Sequence, residues 1–409
     1  MRSRHNKPVL PEQDGRRPSS PGDLPAAAHI PVAPIAILAV AGFLLVTTEF
    51  VIIGLIPALA RDFGVTLSQA GLLVSLFAFT VTFCGPVLTA RLAGRERKRL
   101  FTIILLIFAG ANLMAAISPN VWILAVARFI PALALPVFWG TASETAAQLA
   151  GPRHAGRAVG RVYLGISAAL VLGVPLGTVI GNAIGWRGAF AVLAGLTLLA
   201  ALLMHVCMPR PPMVPVASRS GQFSLLKSSR FLMHVLLSVL VFTAMFTSYT
   251  FLAELLEGVA EIAPSWVGWW MMGFGIVGLL GNWLGGVMAD RNSLGATVGF
   301  LFLLAVVMVI LVPVASNHWA LSAVLAFWGI AYTALFPICQ IRVMQHGQQA
   351  QALAGTLNVS AANAGTGLGA VVGGWVISEL GTAFLGYASA ALAVVAVLCA
   401  LPLFRQSNQ

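Results

Sequence analysis

The chain has 409 residues, of which 59% are hydrophobic and only 9% are charged, which excludes a soluble protein with a surface of ordinary polarity. A net charge of +11 would suggest nucleic acid as the partner of a soluble protein, but here the basic residues lie in short links between apolar stretches. Anionic lipid headgroups are therefore the expected partner, and nucleic acid is not.

The chain is predicted to begin with a disordered tail, because residues 1–29 contain Pro, Arg and Ser but no apolar core. A cleaved signal peptide is not expected, since the first apolar run begins late and is too long. Apolar stretches then recur at the length of a membrane-spanning helix, about 20 residues. Residues 30–208 form the first predicted bundle, with spans near 34–59, 68–90, 100–117, 121–148, 157–184 and 188–208.

A polar, Pro-rich segment at 209–230 is predicted to be a cytoplasmic link. Residues 231–409 form the second predicted bundle, with spans near 231–256, 264–289, 294–316, 319–345, 352–379 and 382–404. Because backbone groups in lipid must bond internally, these runs predict an all-α membrane protein with twelve transmembrane helices in two six-helix bundles. Lys and Arg cluster before the first span, in alternate loops and in the central link, so both termini are predicted to be cytoplasmic.

An internal repeat relates the two groups of spans. The stretch LGTVIGN at 176–182 in the fifth span matches LGAVVGG at 368–374 in the eleventh. A glycine also precedes an arginine by six residues at the ends of the second and eighth spans, at Gly85 and Gly285. Chance similarity of Gly-rich helices is the alternative. Parallel six-helix halves are typical of secondary transporters, whose binding site lies where the halves meet.

Glu49 lies near the middle of the first span, where an acid costs about 2.5–3.5 kcal/mol to insert and usually marks a proton or substrate path. The alternative is a permanently protonated hydrogen bond between helices. Arg128 lies at a similar depth in the fourth span and is the predicted partner, directly or through water. It could instead bond helix carbonyls or hold the substrate.

Two further motifs suggest moving parts. Gly173, Gly177, Gly181 and Gly185 recur every four residues in the fifth span, so a neighbouring helix can approach closely, and Pro175 favours a bend. Asp290 and Arg291 end the eighth span. They are predicted to hold one conformation closed, and the alternative is a solvated charge pair.

The chain resembles the major facilitator superfamily, in its twelve-span drug:proton antiporter branch. The nearest groups are bacterial sugar efflux transporter B, arabinose efflux, purine nucleoside efflux and chloramphenicol exporters. The matching stretches are TTEF at 47–50, GLIP at 54–57, Arg128 in ARFIPALALPVFWG, GVPLG at 173–177, GWR at 185–187, and 358–374. The loop after the second span departs from the pattern, because Ala90 stands where the family usually has Asp, whereas GVMADR at 286–291 keeps it.

The resemblance implies a monomeric, multi-pass protein of the bacterial inner membrane with two pseudo-symmetric bundles. The implied activity is efflux of a small organic solute, such as a sugar, nucleoside or drug, in exchange for protons and with no cofactor. Proton-coupled uptake and a transport-dead membrane sensor are the alternatives. An enzyme is not expected, because the seven histidines and four cysteines show no ligand spacing and no nucleophile–base pair is seen.

A cavity for a modest, partly polar solute needs aromatic faces together with hydroxyl or amide groups. The predicted lining residues combine these features and are Thr48, Phe138, Trp139, Tyr163, Tyr249, Trp328, Tyr332, Asn358 and Asn363. Each could equally be ordinary packing within a span. Glu144, near the inner end of the fourth span, is a candidate second proton site.

Overall fold

The computed structural model describes residues 32–92, 94–151, 154–209, 227–347 and 351–407. The predicted tail at 1–29 and most of the predicted link at 209–230 lie outside these residues. All regular secondary structure in the described part is helical. The helices are α1 (Val32–Phe63), α2 (Leu67–Leu92), α3 (Arg97–Ala116), α4 (Val121–Ala150), α5 (Ala155–Ala168), α6 (Val174–Ile184), α7 (Trp186–Cys207), α8 (Ser229–Tyr249), α9 (Leu252–Glu254), α10 (Pro264–Leu311), α11 (His318–His346), α12 (Gln351–Glu379) and α13 (Leu385–Ser407).

Ten helical segments in the described ranges are long and apolar enough to cross a membrane. Two π-helical turns lie within predicted spans, at Ala169–Gly173 between α5 and α6 and at Leu255–Val259 after α9. The predicted all-helical membrane fold is therefore confirmed. The helix α12 carries the predicted eleventh span but is not among the ten.

The 48-residue helix α10 contains both the predicted eighth and ninth spans. It is interrupted at Asn292, whose φ of −155° and ψ of 90° are not helical. The Asn292 side chain accepts a hydrogen bond from the Gly295 N–H at 2.8 Å, as an N-cap residue does. One helical stretch thus ends at this residue and another begins.

Matching N-caps begin α4 and α11. The Asn120 side chain accepts from the N–H groups of Trp122 and Ile123, and Asn317 accepts in the same way two and three residues on. Both caps precede a tryptophan at the second position after the asparagine. The two caps add a further similarity between the halves, in helices that occupy the fourth and tenth predicted spans.

The two sequence repeats lie in equivalent helix pairs of the two halves. Gly177 of α6 packs against α1, and Gly369 of α12 packs against the backbone and Phe246 of α8. Gly85 of α2 contacts α4, and Gly285 of α10 contacts α11. Helices α1 to α7 pack together, as do α8 to α13, and the two halves meet where α2 packs on α12 and α6 on α10. The same glycines therefore allow the same close approaches in each half.

Replacing Gly285 by Val is expected to destabilise the second half. A Cβ at this position would lie 2.7 Å from the Ala334 Cα and 2.9 Å from its carbonyl carbon, so the α11 backbone must move. Overpacking of this kind costs about 1–3 kcal/mol. Thermal unfolding of the purified variant should begin at a clearly lower temperature than that of Gly286→Val, because Gly286 has no heavy atom within 4 Å of its Cβ position. Equal unfolding temperatures would contradict the proposed packing.

Candidate functional site

The two ends of the helix bundle are named here by an arginine at each. The Arg61 face contains the end of α1 and the beginnings of α2 and α4. The Arg342 face contains the ends of α4 and α11. Glu49 lies between these faces on α1, and it is partly exposed while Thr47 and Thr48 before it are buried.

The Glu49 carboxylate interacts electrostatically with Arg128 of its own half and with Tyr332 of the other half. No described residue forms a hydrogen bond or an ion pair with this carboxylate. The acid is therefore positioned between the halves without a fixed partner. Such a group can change its protonation state without first breaking a salt bridge.

Arg128 is tied to the α1 backbone rather than to the Glu49 side chain. Its Nη1 donates to the Thr48 carbonyl at 2.5 Å and its Nη2 to the Glu49 carbonyl at 2.6 Å. The guanidinium lies 4.5 Å from the centre of the Phe77 ring and is 1% exposed. The structure thus brings the predicted pair together, with the arginine bonded to helix carbonyls.

Asn112 of α3 completes this cluster and was not identified from the sequence. Its Nδ2 donates to the Thr48 hydroxyl at 3.0 Å, and it is 1% exposed. Thr48 was predicted to line the cavity, but it is buried and faces α3. The only signal in the sequence was an amide inside an apolar span. The Asn112 Oδ1 and the Arg128 Nε are buried and have no hydrogen-bond partner in the described part of the chain.

Three predicted cavity residues form an aromatic cluster in the second half. Tyr249 and Tyr332 stack with their ring centres 4.2 Å apart, and Phe274 contacts both, as well as Trp328 at 5.3 Å. All are buried. The Trp328 Nε1 and the Tyr332 hydroxyl have no hydrogen-bond partner among the described residues. The cluster therefore combines aromatic surface, closed to solvent in this conformation, with two buried polar groups, of which the Tyr332 hydroxyl interacts with Glu49.

The other three aromatic candidates lie in the first half. Trp139 contacts Tyr163 with ring centres 5.3 Å apart, and Tyr163 is 43% exposed with its hydroxyl 3.3 Å from the Ser143 hydroxyl. Phe138 is fully buried and packs against Phe101 of α3. Phe138 therefore packs inside the first half and lines no open surface in this conformation.

Asn358 belongs to a buried polar network in the second half. Its Nδ2 donates to Gln340 at 2.7 Å, and its Oδ1 accepts from Ser238 at 2.8 Å. Arg342, fully buried, donates to Ser238 at 2.9 Å and to Thr297 at 2.7 Å, and it has no carboxylate partner among the residues described. An arginine inside a predicted span could have indicated this network. The last cavity candidate, Asn363, is half-buried and donates to the Val359 carbonyl of its own helix.

The predicted glycine stripe packs α6 against α1. Cβ atoms at Gly173, Gly177 and Gly181 would overlap the side chains of Thr47, Val51 and Leu55. Gly185 ends α6 with a φ of 84°. On another face of α6, the Pro175 carbonyl oxygen lies 3.0 Å from the Cβ position of Gly268 in α10. The helix therefore joins α1 to the opposite half.

Contacts between the halves extend inward from the Arg61 face. The Phe50 and Phe246 rings stack with centres 5.9 Å apart, and the Ser75 hydroxyl donates to the Gly367 carbonyl at 3.0 Å. The described hydrogen bonds between the halves lie on α1, α2 and α6. Asp290 and Arg291, near the Arg342 face, are exposed and bond no described residue. The halves are thus joined at the Arg61 face. Asp290 and Arg291, the predicted latch, take no part in these contacts.

Some of the charges at the two faces form ion pairs, either within a half or between the halves. Arg61 of α1 and Glu257 of the π turn after α9 form the one ion pair between halves in the described ranges, with Nη1 and Oε2 2.8 Å apart. Glu144 pairs with Arg97 at 2.6 Å inside the first half. Glu144, the candidate second proton site, is therefore already paired with an arginine in this conformation.

Removing the Arg61–Glu257 pair is expected to increase access to the seam from the Arg61 face. The Arg61 side chain is 59% exposed, so the pair contributes at most about 1 kcal/mol, or roughly a fivefold change in population. A cysteine at Ser68, with the four native cysteines replaced by alanine, reports this change through its labelling rate with an impermeant maleimide. Glu257→Gln should raise the rate, and the exchange of both charges should restore it. Unchanged rates in all variants would contradict a role in closure.

Two helical halves that meet at a seam, with an acid and a cation beside it, define a membrane transport protein. Residues 38–359 match the Major Facilitator Superfamily, and the chain belongs to that superfamily. The resemblance found in the sequence is therefore confirmed, and the chain is a transporter rather than an enzyme.

Similar proteins include the inner membrane transport protein YdhP of Escherichia coli (strain K12), 33% identical over 366 residues, which are 89% of this chain and 94% of that protein. A probable sugar efflux transporter of Helicobacter pylori (strain G27) is 29% identical over 364 residues, 89% of this chain and 93% of that protein.

Two solved structures share the fold. A bacterial homologue of the human lysosomal transporter Spinster, inward-facing and unoccupied, has a TM-score of 0.73 and 15% identity over 91% of this chain and 97% of its own. A D-xylose–proton symporter also has a TM-score of 0.73, with 17% identity over 91% of this chain and 98% of its own.

Proposed function

We propose that this protein exports a small organic solute across the bacterial inner membrane in exchange for protons. The observation that carries the proposal is Glu49, an acid inside a membrane-spanning helix, partly exposed between the halves and held beside Arg128. An ionisable residue in such a position is a proton or substrate site by default. The names of the relatives in Escherichia coli and Helicobacter pylori support an inner-membrane location and efflux.

The proposed topology has twelve spans in two six-helix bundles with both termini in the cytoplasm. We count α10 as two spans separated at Asn292 and α12 as one more, which together with the other nine segments makes twelve. Positive charge marks the cytoplasmic side. The basic run around Arg97 to Arg99 lies beside the Arg342 face, so that face is cytoplasmic in this proposal and the Arg61 face is periplasmic.

The conformation described above then faces inward, because contacts join the halves at the periplasmic face. Within the described ranges, no hydrogen bond, ion pair or ring contact joins the inner part of α5, which carries the exposed Tyr163, to the second half. Solute would enter from the cytoplasm, and the aromatic cluster around Tyr332, which is buried in this conformation, would have to open to receive it. Rocking of the two halves would release the solute outward and open Glu49 to the periplasm.

Protonation of Glu49 from the periplasm would weaken its interaction with Arg128 or with solute. The protein then shifts toward the state in which the protonated acid is more stable, by an amount equal to the difference in interaction between the two states. A charge moved through the membrane potential adds about 2.3 kcal/mol per 100 mV. This cycle requires the acid to be reachable from each side in turn and never from both at once.

The aromatic cluster supports a solute that is neutral or weakly charged and carries oxygen acceptors. Stacked rings at Tyr249 and Tyr332 provide flat apolar surface, and the unused donors at Trp328 and Tyr332 can bond a hydroxyl or carbonyl oxygen of the solute. Sugars, nucleosides and amphenicol drugs all have this combination. A monomer is the proposed functional unit.

Proton-coupled uptake is the second candidate, because a D-xylose–proton symporter has the same fold. A transport-dead sensor is the third. Transport in inside-out vesicles with an imposed pH gradient separates them, using a panel of sugars, nucleosides and amphenicols. Export predicts accumulation inside these vesicles when their interior is acidic. Uptake predicts gradient-driven loss of preloaded solute, and a sensor predicts no movement of any solute in the panel.

A further inference from the structure

The hydroxyl of Thr48 makes a bond that differs from that of its neighbour. Thr47 donates to the Phe43 carbonyl one turn earlier, which is the usual arrangement for threonine in a membrane helix. Thr48 makes no such bond in the described structure. It instead accepts from the Asn112 amide at 3.0 Å. Thr48 is therefore held by α3 rather than by its own helix.

The same turn of α1 is held from a second side by α4. Arg128 donates to the carbonyls of Thr48 and Glu49, and α2 supplies Phe77 beneath the guanidinium. Asn112 and Arg128 thus fix the turn that carries Glu49, and both are at least 99% buried. Neither touches the Glu49 carboxylate in the structure.

This cluster also retains an unsatisfied polar group on each of these residues. The Asn112 Oδ1 and the Arg128 Nε are buried without a partner among the described atoms. A buried group without a hydrogen bond is disfavoured, and native structures contain few of them. An amide present only for packing would be replaced by leucine at no such cost. The arrangement therefore indicates a role beyond packing.

We infer that Asn112 is a positioning residue for proton coupling, which acts through the Thr48 hydroxyl to keep Glu49 at a fixed distance from Arg128. This inference rests on the proposed function of Glu49. Without the Asn112 bond, the Thr48 side chain is free to rotate and to bond within α1 as Thr47 does, and the turn can move relative to Arg128. The ionisable groups that interact with Glu49 among the described residues are Arg128 from α4 and Tyr332 from α11.

The test measures the unfolding temperature of the full-length protein in detergent as a function of pH. The difference between the parent and Glu49→Gln isolates the step that depends on Glu49. Asn112→Leu and Thr48→Val should each move the midpoint of that step to higher pH by about half to one unit, because the cation is held less closely. The double variant should move it no further than the larger single change, since both residues act through one bond.

Two controls distinguish positioning from general loosening. Thr48→Ser keeps the hydroxyl and should titrate like the parent. Thr141→Val removes a buried hydroxyl that bonds only within α4, and it should leave the midpoint unchanged even if stability falls. Lower unfolding temperatures with an unmoved midpoint in Asn112→Leu and Thr48→Val would overturn the inference alone. Identical pH profiles for the parent and Glu49→Gln would overturn the proposed function, and this inference with it.

Discussion

Replacing Glu49 by Gln is expected to abolish solute accumulation driven by a pH gradient. If one proton is exchanged for each solute molecule, a gradient of one pH unit supports about tenfold accumulation, because one unit corresponds to about 1.36 kcal/mol. The amide has nearly the shape of the acid but does not bind and release a proton. The ratio of inner to outer solute should therefore fall to about one. Vesicles that contain equal amounts of each protein and an imposed gradient measure this ratio directly.

Two variants serve as controls for this experiment. One neutralises a different acid, and the other replaces Glu49 by a shorter acid. Glu379→Gln neutralises an exposed carboxylate at the end of α12 and should keep the tenfold ratio. Glu49→Asp keeps the ionisable group one methylene further from the seam and should retain part of it. Downhill equilibration of solute should survive in Glu49→Gln, because the substitution removes coupling and leaves the solute path intact. Full gradient-driven accumulation in Glu49→Gln would refute the assignment of the acid.

Replacing Gly275 by Val is the second change with a large expected effect. Gly275 lies where α10 crosses the π turn of the other half, and a Cβ there would lie 2.8 Å from the Val171 Cα and 3.2 Å from the Leu170 carbonyl oxygen. Backbone atoms cannot rotate away as a flexible side chain can. Overpacking of about 1–3 kcal/mol would act on the state in which the halves meet at the Arg61 face, which corresponds to a roughly 5- to 150-fold shift in population.

Gly273 provides the control on the same helix. No heavy atom lies within 4 Å of its Cβ position, so Gly273→Val should transport like the parent. Distances between spin labels placed at the end of α6 and at the beginning of α10, both on the Arg61 face, should lengthen in Gly275→Val. Transport should fall by at least tenfold. A normal unfolding temperature would show that the effect is on closure rather than on folding. Parent-like distances and rates in Gly275→Val would contradict the seam.

The global architecture could be predicted from the sequence because the membrane leaves few options. Apolar runs of about 20 residues must be helices, and the glycine matches at 176–182 and 368–374 located equivalent contacts in two halves. The structure places Gly177 and Gly369 at corresponding helix pairs. The local sequence pattern is sufficient to predict these contacts. The backbone of each helix bonds internally, and a few small residues determine where the helix packs.

The site was harder to predict, because its geometry depends on which helix faces which. Depth along the spans brought Glu49 and Arg128 to the same level, but spacing could not indicate that the arginine bonds α1 carbonyls. Asn112 and Arg342 were missed because spacing does not show which residues of neighbouring helices a polar side chain inside a span can reach. The break at Asn292, in contrast, falls between the eighth span predicted at 264–289 and the ninth predicted at 294–316.

The most direct test of the account follows protons instead of solute. Proteoliposomes with an entrapped pH-sensitive dye start with the same pH inside and outside. They are then given an inward gradient of a solute selected from the vesicle panel. We predict that the parent moves protons outward as solute enters, that Glu49→Gln carries solute without moving protons, and that Glu49→Asp moves fewer. Proton movement in Glu49→Gln at the parent rate would contradict the central claim that this acid carries the exchanged proton.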